Sequence, residues 1–177
     1  MSDAEVILVA GATGNTGSGV AAALLEKGRR VRVLARDRAK ADGLAEQGAE
    51  VAIVDLDRPE TLSDELLDGV GAVYFVTWNG PSALQQSRNL LHAITRSGAS
   101  PHVVRLSGFG TLQSRIISEL AICEEELKAA GLPWTILKPT FFMQNLMMAA
   151  QTVSEQGAVY FDWGAGKAGM VDVRDVV

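Results

Sequence analysis

The chain has 177 residues, 47% hydrophobic and 21% charged, which suits one domain with a single buried core and excludes a large multidomain assembly, a disordered chain or a fibre. A formal net charge of -5 and a pI near 5.0 repel polyanions, so neither nucleic acid nor an acidic membrane surface is an expected partner. The one cysteine, Cys123, permits no intrachain disulfide or thiolate cluster, and the start of the chain lacks a basic leader or an apolar run of membrane-spanning length, so a cytoplasmic setting is expected.

Short apolar runs rich in Val, Ile and Leu at 6–10, 31–35, 51–54, 72–76, 102–106 and 134–137 read as strands covered on both faces. Helical periodicity fills the intervals at 16–27, 39–47, 60–67, 84–97 and 114–130. Gly28, Gly48, Gly98 and Gly131 stop four of these helices. No Pro-, Gly- or Ser-rich linker interrupts the alternation, so the expected fold class is α/β, with a doubly wound parallel sheet. Beyond Pro139 the pattern weakens: 141–153 reads as helix, 158–161 as strand, 164–169 as loop and 171–177 as an extended apolar segment.

The run Gly11, Ala12, Thr13, Gly14, Asn15, Thr16, Gly17 directly follows the first strand and opens the first helix. Glycines there allow a tight turn, close approach of backbone to a pyrophosphate, and close packing of helix on sheet. The free N–H groups and positive dipole end of the helix then suit the diphosphate of a dinucleotide.

After the second strand, Arg36 and Lys40 suit a 2′-phosphate and favour NADP over NAD, whereas Asp37, 20 residues after Gly17, supports NAD if it faces the pocket instead. Asp55 and Leu56, after the third strand, serve either as a wall for adenine or as a turn that caps the next helix. Thr77, Trp78 and Asn79 follow the fourth strand, and Ser107 the fifth, on the ligand side of an open sheet. Ser107 either bonds a substrate oxygen or the nicotinamide carboxamide, or is satisfied by backbone. His92 and His102 are isolated, so no metal site is expected. Met143, Met147 and Met148 read as an apolar wall or core, and Cys123 as an unactivated thiol.

These features, together with the segments 31–37 (VRVLARD), 134–139 (WTILKP), 141–146 (FFMQNL) and 171–175 (VDVRD), resemble the NmrA-like branch of the atypical short-chain dehydrogenases/reductases. The resemblance runs from residue 6 to 177 and implies an NAD(P)-binding Rossmann domain over 1–140, with 141–177 beginning a substrate-binding portion. It adds Phe141, Phe142, Met143 and Gln144 beside the nicotinamide to the cofactor contacts above. It implies either a reductase or a redox-sensing regulator that binds cofactor without turnover.

Two departures stand out. No Tyr-x-x-x-Lys pair exists, since Tyr74 is followed four residues on by Trp78 and Tyr160 by Gly164; Leu120 and Glu124 match positions where relatives often carry His or Lys before a Glu. Relatives also continue well past the equivalent of residue 177, so the substrate lobe is expected to be short, missing, or shared with a partner. No catalytic residue is assigned. The expected reaction is hydride transfer from NADPH to a small conjugated acceptor of quinone, enone or imine type, which can take its proton from solvent. Trp78, Phe109, Phe142 and Met143 are candidate walls. The alternatives are an NADP-sensing binding protein, acting through a protein partner or homo-oligomer, and an incomplete fragment with an exposed apolar face.

Overall fold

The structure is a computed structural model that describes residues 5–77, 80–110, 114–160, 166–167 and 169–177. Six parallel strands form one sheet: β1 (Val6–Ala10), β2 (Arg30–Ala35), β3 (Glu50–Ile53), β4 (Val70–Phe75), β5 (His102–Leu106) and β6 (Trp134–Leu137), in the order β3-β2-β1-β4-β5-β6. The helices are α1 (Asn15–Glu26), α2 (Asp42–Glu46), α3 (Ala83–Arg96) and α4 (Arg115–Ala129).

Strand alternation divides the interior between two cores. Val6, Leu8 and Ala10 join Leu90, Ala93 and Ile94 of α3 and Leu127 of α4, whereas Ile7 and Val9 join Ala21 of α1 and Leu44 of α2. A central strand buried on both faces reads as an unbroken apolar run, which is why VILVA was legible as β1. The four helix-ending glycines at 28, 48, 98 and 131 all adopt positive φ, as expected of left-handed caps.

The segment predicted as one helix over 60–67 is instead two 3₁₀ turns, Pro59–Thr61 and Asp64–Leu67. Two side chains divert its backbone. Thr61 Oγ1 donates to the carbonyls of Asp55 and Arg58, and Arg32 Nη1 donates to the Leu66 carbonyl at 2.6 Å. Over 39–47, a 3₁₀ turn at Arg38–Ala41 precedes the short α2.

The C-terminal portion also departs from expectation. The predicted helix 141–153 resolves into the strand β7 (Phe141–Phe142), a 3₁₀ stretch Met143–Ala149 and the helix α5 (Ala150–Gln156). Residues 158–160 carry no strand, and half of the predicted loop 164–169 lies outside the described residues. The tail is extended only at β8 (Met170–Val171), which pairs parallel with β7, before the Asp172 side chain caps a 3₁₀ turn at Val173–Asp175. Phe142 and Val176 then pack against the α1–α2 core, and Val177 lies against Gly19 of α1.

Candidate functional site

The strand order reverses between β1 and β4, because the chain runs outward from β1 through β2 to β3 and then crosses back to lay β4 on the other side of β1. A crevice opens there, outside the carboxyl ends of the two strands. Gly11, with φ +82°, turns the chain out of β1 beside Val76; a Cβ at Gly11 would lie 2.5 Å from Val76 Cγ1 and 2.9 Å from its carbonyl oxygen. A Cβ on Gly17 would overlap the Gly11 carbonyl, so the first turn of α1 sits directly on the loop. Gly14 differs, since its Cβ would meet only the Gly11 oxygen, at 3.4 Å.

Thr13, Gly14 and Asn15 are exposed, whereas Ala12, Thr16 and Gly17 are buried. No side chain caps α1 and no acidic residue stands in its first turn, which leaves N–H groups and the positive end of a 12-residue helix facing the crevice. That cradle fits a diphosphate: it offers donors without a competing carboxylate, and its exposed glycine admits close approach.

At the end of β2, Arg36, Asp37 and Lys40 are all exposed. The Asp37 carboxylate accepts from the Ala39 N–H at 3.0 Å and so caps its own turn. Neither Arg36 nor Lys40 forms an ion pair among the described residues. After β3, Asp55 and Leu56 belong to a tied turn: Asp55 Oδ1 accepts from the Asp57 N–H, the Asp55 N–H reaches Thr61 Oγ1, and the Leu56 carbonyl accepts from Asn89 of α3. Thr77 is buried after β4; Trp78 and Asn79 lie outside the described residues.

Ser107 closes β5 and heads a polar chain. Its hydroxyl donates to Glu124 Oε1 at 2.5 Å, and Lys138 Nζ approaches Glu124 Oε2 at 2.6 Å. Glu124 is 4% exposed and Lys138 is exposed, so the chain runs from solvent through a buried carboxylate to the strand end. Neither Glu124 nor Lys138 stands out in the sequence as a site residue beyond the family position of Glu124. The available signal was Glu124's place on the buried stripe of α4, in register with Leu120, Cys123 and Leu127.

Phe141 and Phe142 are half-buried, and Met143 is exposed. Gln144 is engaged within the fold: its Nε2 donates to Asp172 Oδ1 at 2.9 Å, and its Oε1 accepts from the Val173 N–H at 3.0 Å. Hydrogen bonds from Arg174, then from Gln144, hold the Asp172 carboxyl well below the usual carboxylate range. Met147 and Met148 are 72% and 84% exposed, which excludes the core reading for them. Among the described residues no group of three His, Cys, Asp or Glu stands ready for a metal, and no helix is long and apolar enough to cross a membrane.

An open parallel sheet with helices on both faces, order reversal at β1/β4 and a glycine turn into an uncapped helix at that point define a Rossmann-type α/β protein. The chain belongs to the NmrA-like family, whose model matches residues 3–167. It is 37% identical over 174 residues to an NAD(P)H azoreductase of Xenophilus azovorans, covering 97% of this chain and 60% of that protein. It is 32% identical over 176 residues to the (4-alkanoyl-5-oxo-2,5-dihydrofuran-3-yl)methyl phosphate reductase of Streptomyces griseus subsp. griseus, with the same two coverages. Among solved structures it resembles the Citrobacter sp. triphenylmethane reductase complexed with NADP(H), with 25% identity, a TM-score of 0.78, and coverage of 96% of this chain and 62% of that one. It also resembles the Escherichia coli NADPH-dependent quinone oxidoreductase QOR2 complexed with NADPH, with 25% identity, a TM-score of 0.74, and coverage of 85% and 54%. The chain thus spans about 60% of the length of these curated relatives.

Proposed function

We propose that this chain binds NADPH and serves a reductase that passes hydride to a small conjugated acceptor of quinone, azo, enone or imine type. The observation that carries this reading is the uncapped, acid-free start of α1 above an exposed Gly14 at the β1/β4 reversal. The azoreductase and quinone oxidoreductase among the relatives support the acceptor class, and those relatives' use of NAD(P)H supports the cofactor. Preference for the 2′-phosphate rests on Arg36 and Lys40, since Asp37 is turned into its own cap.

When bound, the cofactor supplies a hydride donor; the chain's residues hold and orient it. Gly11 to Gly17 receive the diphosphate, Arg36 and Lys40 the 2′-phosphate, and the Asp55–Leu56 turn flanks the adenine. Thr77, Ser107 and the 141–144 segment surround the nicotinamide end, to which the family resemblance also assigns Trp78 and Asn79, and Gln144 braces the 141–144 segment against the tail. The conjugated acceptor gains two electrons with the hydride and takes its proton from water, so no Tyr-Lys pair is required.

Ser107 has a defined polarity in this scheme. Glu124, ion-paired to Lys138, accepts the Ser107 proton, so Ser107 Oγ has only lone pairs left to offer. It therefore receives an N–H donor, such as the carboxamide of nicotinamide, in preference to a substrate carbonyl. An NADP analogue with acetyl in place of the carboxamide is expected to bind about 0.5–1.5 kcal/mol more weakly than NADP, a difference that Ser107→Ala removes. Equal affinity for the two ligands in the unmodified protein contradicts this polarity.

Calorimetric titration with NADPH and NADH, followed in the same samples by NADPH oxidation with a simple quinone, tests the function. Tight NADPH binding with turnover is the expected result. Binding without turnover favours a nucleotide-sensing protein, a reading supported by apolar Leu120 and the committed Ser107 proton. No binding of either nucleotide overturns the site.

A further inference from the structure

Arg105 is 1% exposed, on the face of β5 that meets the α3–α4 core. Its Cζ stacks 4.4 Å from the centroid of the Phe75 ring, and none of its three guanidinium nitrogens has a hydrogen-bond partner. Burial lowers its pKa, and the nearby Cys123 and Glu124 oppose that shift. A guanidinium does not shed its proton, so burial leaves a cation with five donors to satisfy. Glu124 acts only at a distance, because its oxygens already meet Ser107 and Lys138.

A small recess lies over this group, with walls that include Thr77 after β4, Ala83 and Leu84 in the first turn of α3, and Ile116 and Cys123 of α4. It has room for about one water molecule. The 14-residue α3 has no side-chain cap and no acidic residue in its first turn, so its positive end adds to the charge of Arg105. The one carboxylate that lines the recess among the described residues, Glu119, is paired with Arg115 at 2.9 Å. A buried unpartnered cation and a helix start thus converge on one small volume that no anion among the described residues fills.

We propose that this recess binds a small anion: a halide, or a single oxygen of a carboxylate or other oxyanion. Two sources share that chemistry. The anion is either free in solution or an anionic substituent of the acceptor inserted from the adjoining cleft. The second source rests on the reductase reading, and the first does not.

Thermal unfolding at fixed ionic strength, with chloride exchanged for hexafluorophosphate, which is larger than the recess and carries no anionic oxygen, separates site binding from screening. The expected midpoint rises by about 3–5 °C for each tenfold increase in chloride above its dissociation constant. Arg105→Met, close in length but uncharged, is expected to abolish the dependence, and Glu119→Gln to strengthen it. If Arg105→Met fails to fold, chloride NMR line broadening on the unmodified protein gives the same reading: broadening supports the site and its absence opposes it. For the second source, the KM of a carboxylated quinone is compared with that of the unsubstituted quinone. A lower KM for the carboxylated form that Arg105→Met erases identifies the acceptor as the source. An unchanged ratio with chloride dependence retained identifies the free anion. The absence of both chloride dependence and quinone discrimination in the unmodified protein overturns the proposal, whether or not NADPH binds.

Discussion

Gly14→Val is expected to lower NADPH affinity by about a hundredfold or more while leaving the thermal midpoint close to that of the unmodified protein. The reasoning rests on where the added atoms go. A Cβ at Gly14 meets nothing of the protein nearer than the Gly11 oxygen at 3.4 Å, and the residue's φ of −97° and ψ of 171° suit a β-branched side chain. The branch therefore projects into the crevice, over the N–H groups that the diphosphate needs. Gly17→Val makes the contrast, because its Cβ overlaps the Gly11 carbonyl and forces α1 off the loop, so that variant loses stability as well as affinity. Calorimetry with NADPH, paired with thermal unfolding of both variants, separates the two effects. Unchanged affinity in Gly14→Val removes the cofactor from this loop.

Arg36→Ala is expected to weaken NADPH binding by about 1.5–3 kcal/mol, or roughly 10- to 150-fold, and to leave NADH binding within about twofold. The side chain is exposed and without an ion pair among the described residues, so its removal costs the free protein little and the effect is confined to the 2′-phosphate. Asp37→Ala is the matched control. It removes the acceptor for the Ala39 N–H and is expected to lower stability by about 0.5–2 kcal/mol without improving NADPH over NADH. Equal losses for both nucleotides in Arg36→Ala reduce that residue to a shaper of the loop.

What the sequence revealed and what it hid follow from the range of the interactions involved. The glycine loop was legible because its requirements are local, each glycine answering to a contact within a few positions or with the adjacent strand. The inner strands β1, β2, β4 and β5 were legible because burial on both faces leaves a nearly unbroken apolar run, whereas the partly exposed edge strands β3 and β6 were legible from their β-branched and aromatic residues. The 59–67 segment was not, since the side chain that captures the Leu66 carbonyl belongs to Arg32, 34 positions earlier in the chain. Gln144 was assigned beside the nicotinamide from its motif, yet its amide is bound to Asp172 and Val173, which no local pattern announces. Glu124 and Arg105 were hidden for related reasons. A carboxylate on a helical stripe and an arginine within an apolar strand both look like surface charges until the sheet and helix close over them.

The division of β1 between two cores has a further consequence for the binding loop. Val6, Leu8 and Ala10 serve one core and Ile7 and Val9 the other, all nearly or fully buried. A slip of one residue would exchange the two sets and mismatch both interiors together, so the strand has no neighbouring register of comparable energy. Gly11 follows Ala10 immediately, so the anion cradle inherits that discreteness. Its height above the sheet is fixed by whole residues, and substitutions in the cores can loosen the cradle but cannot gradually retune it.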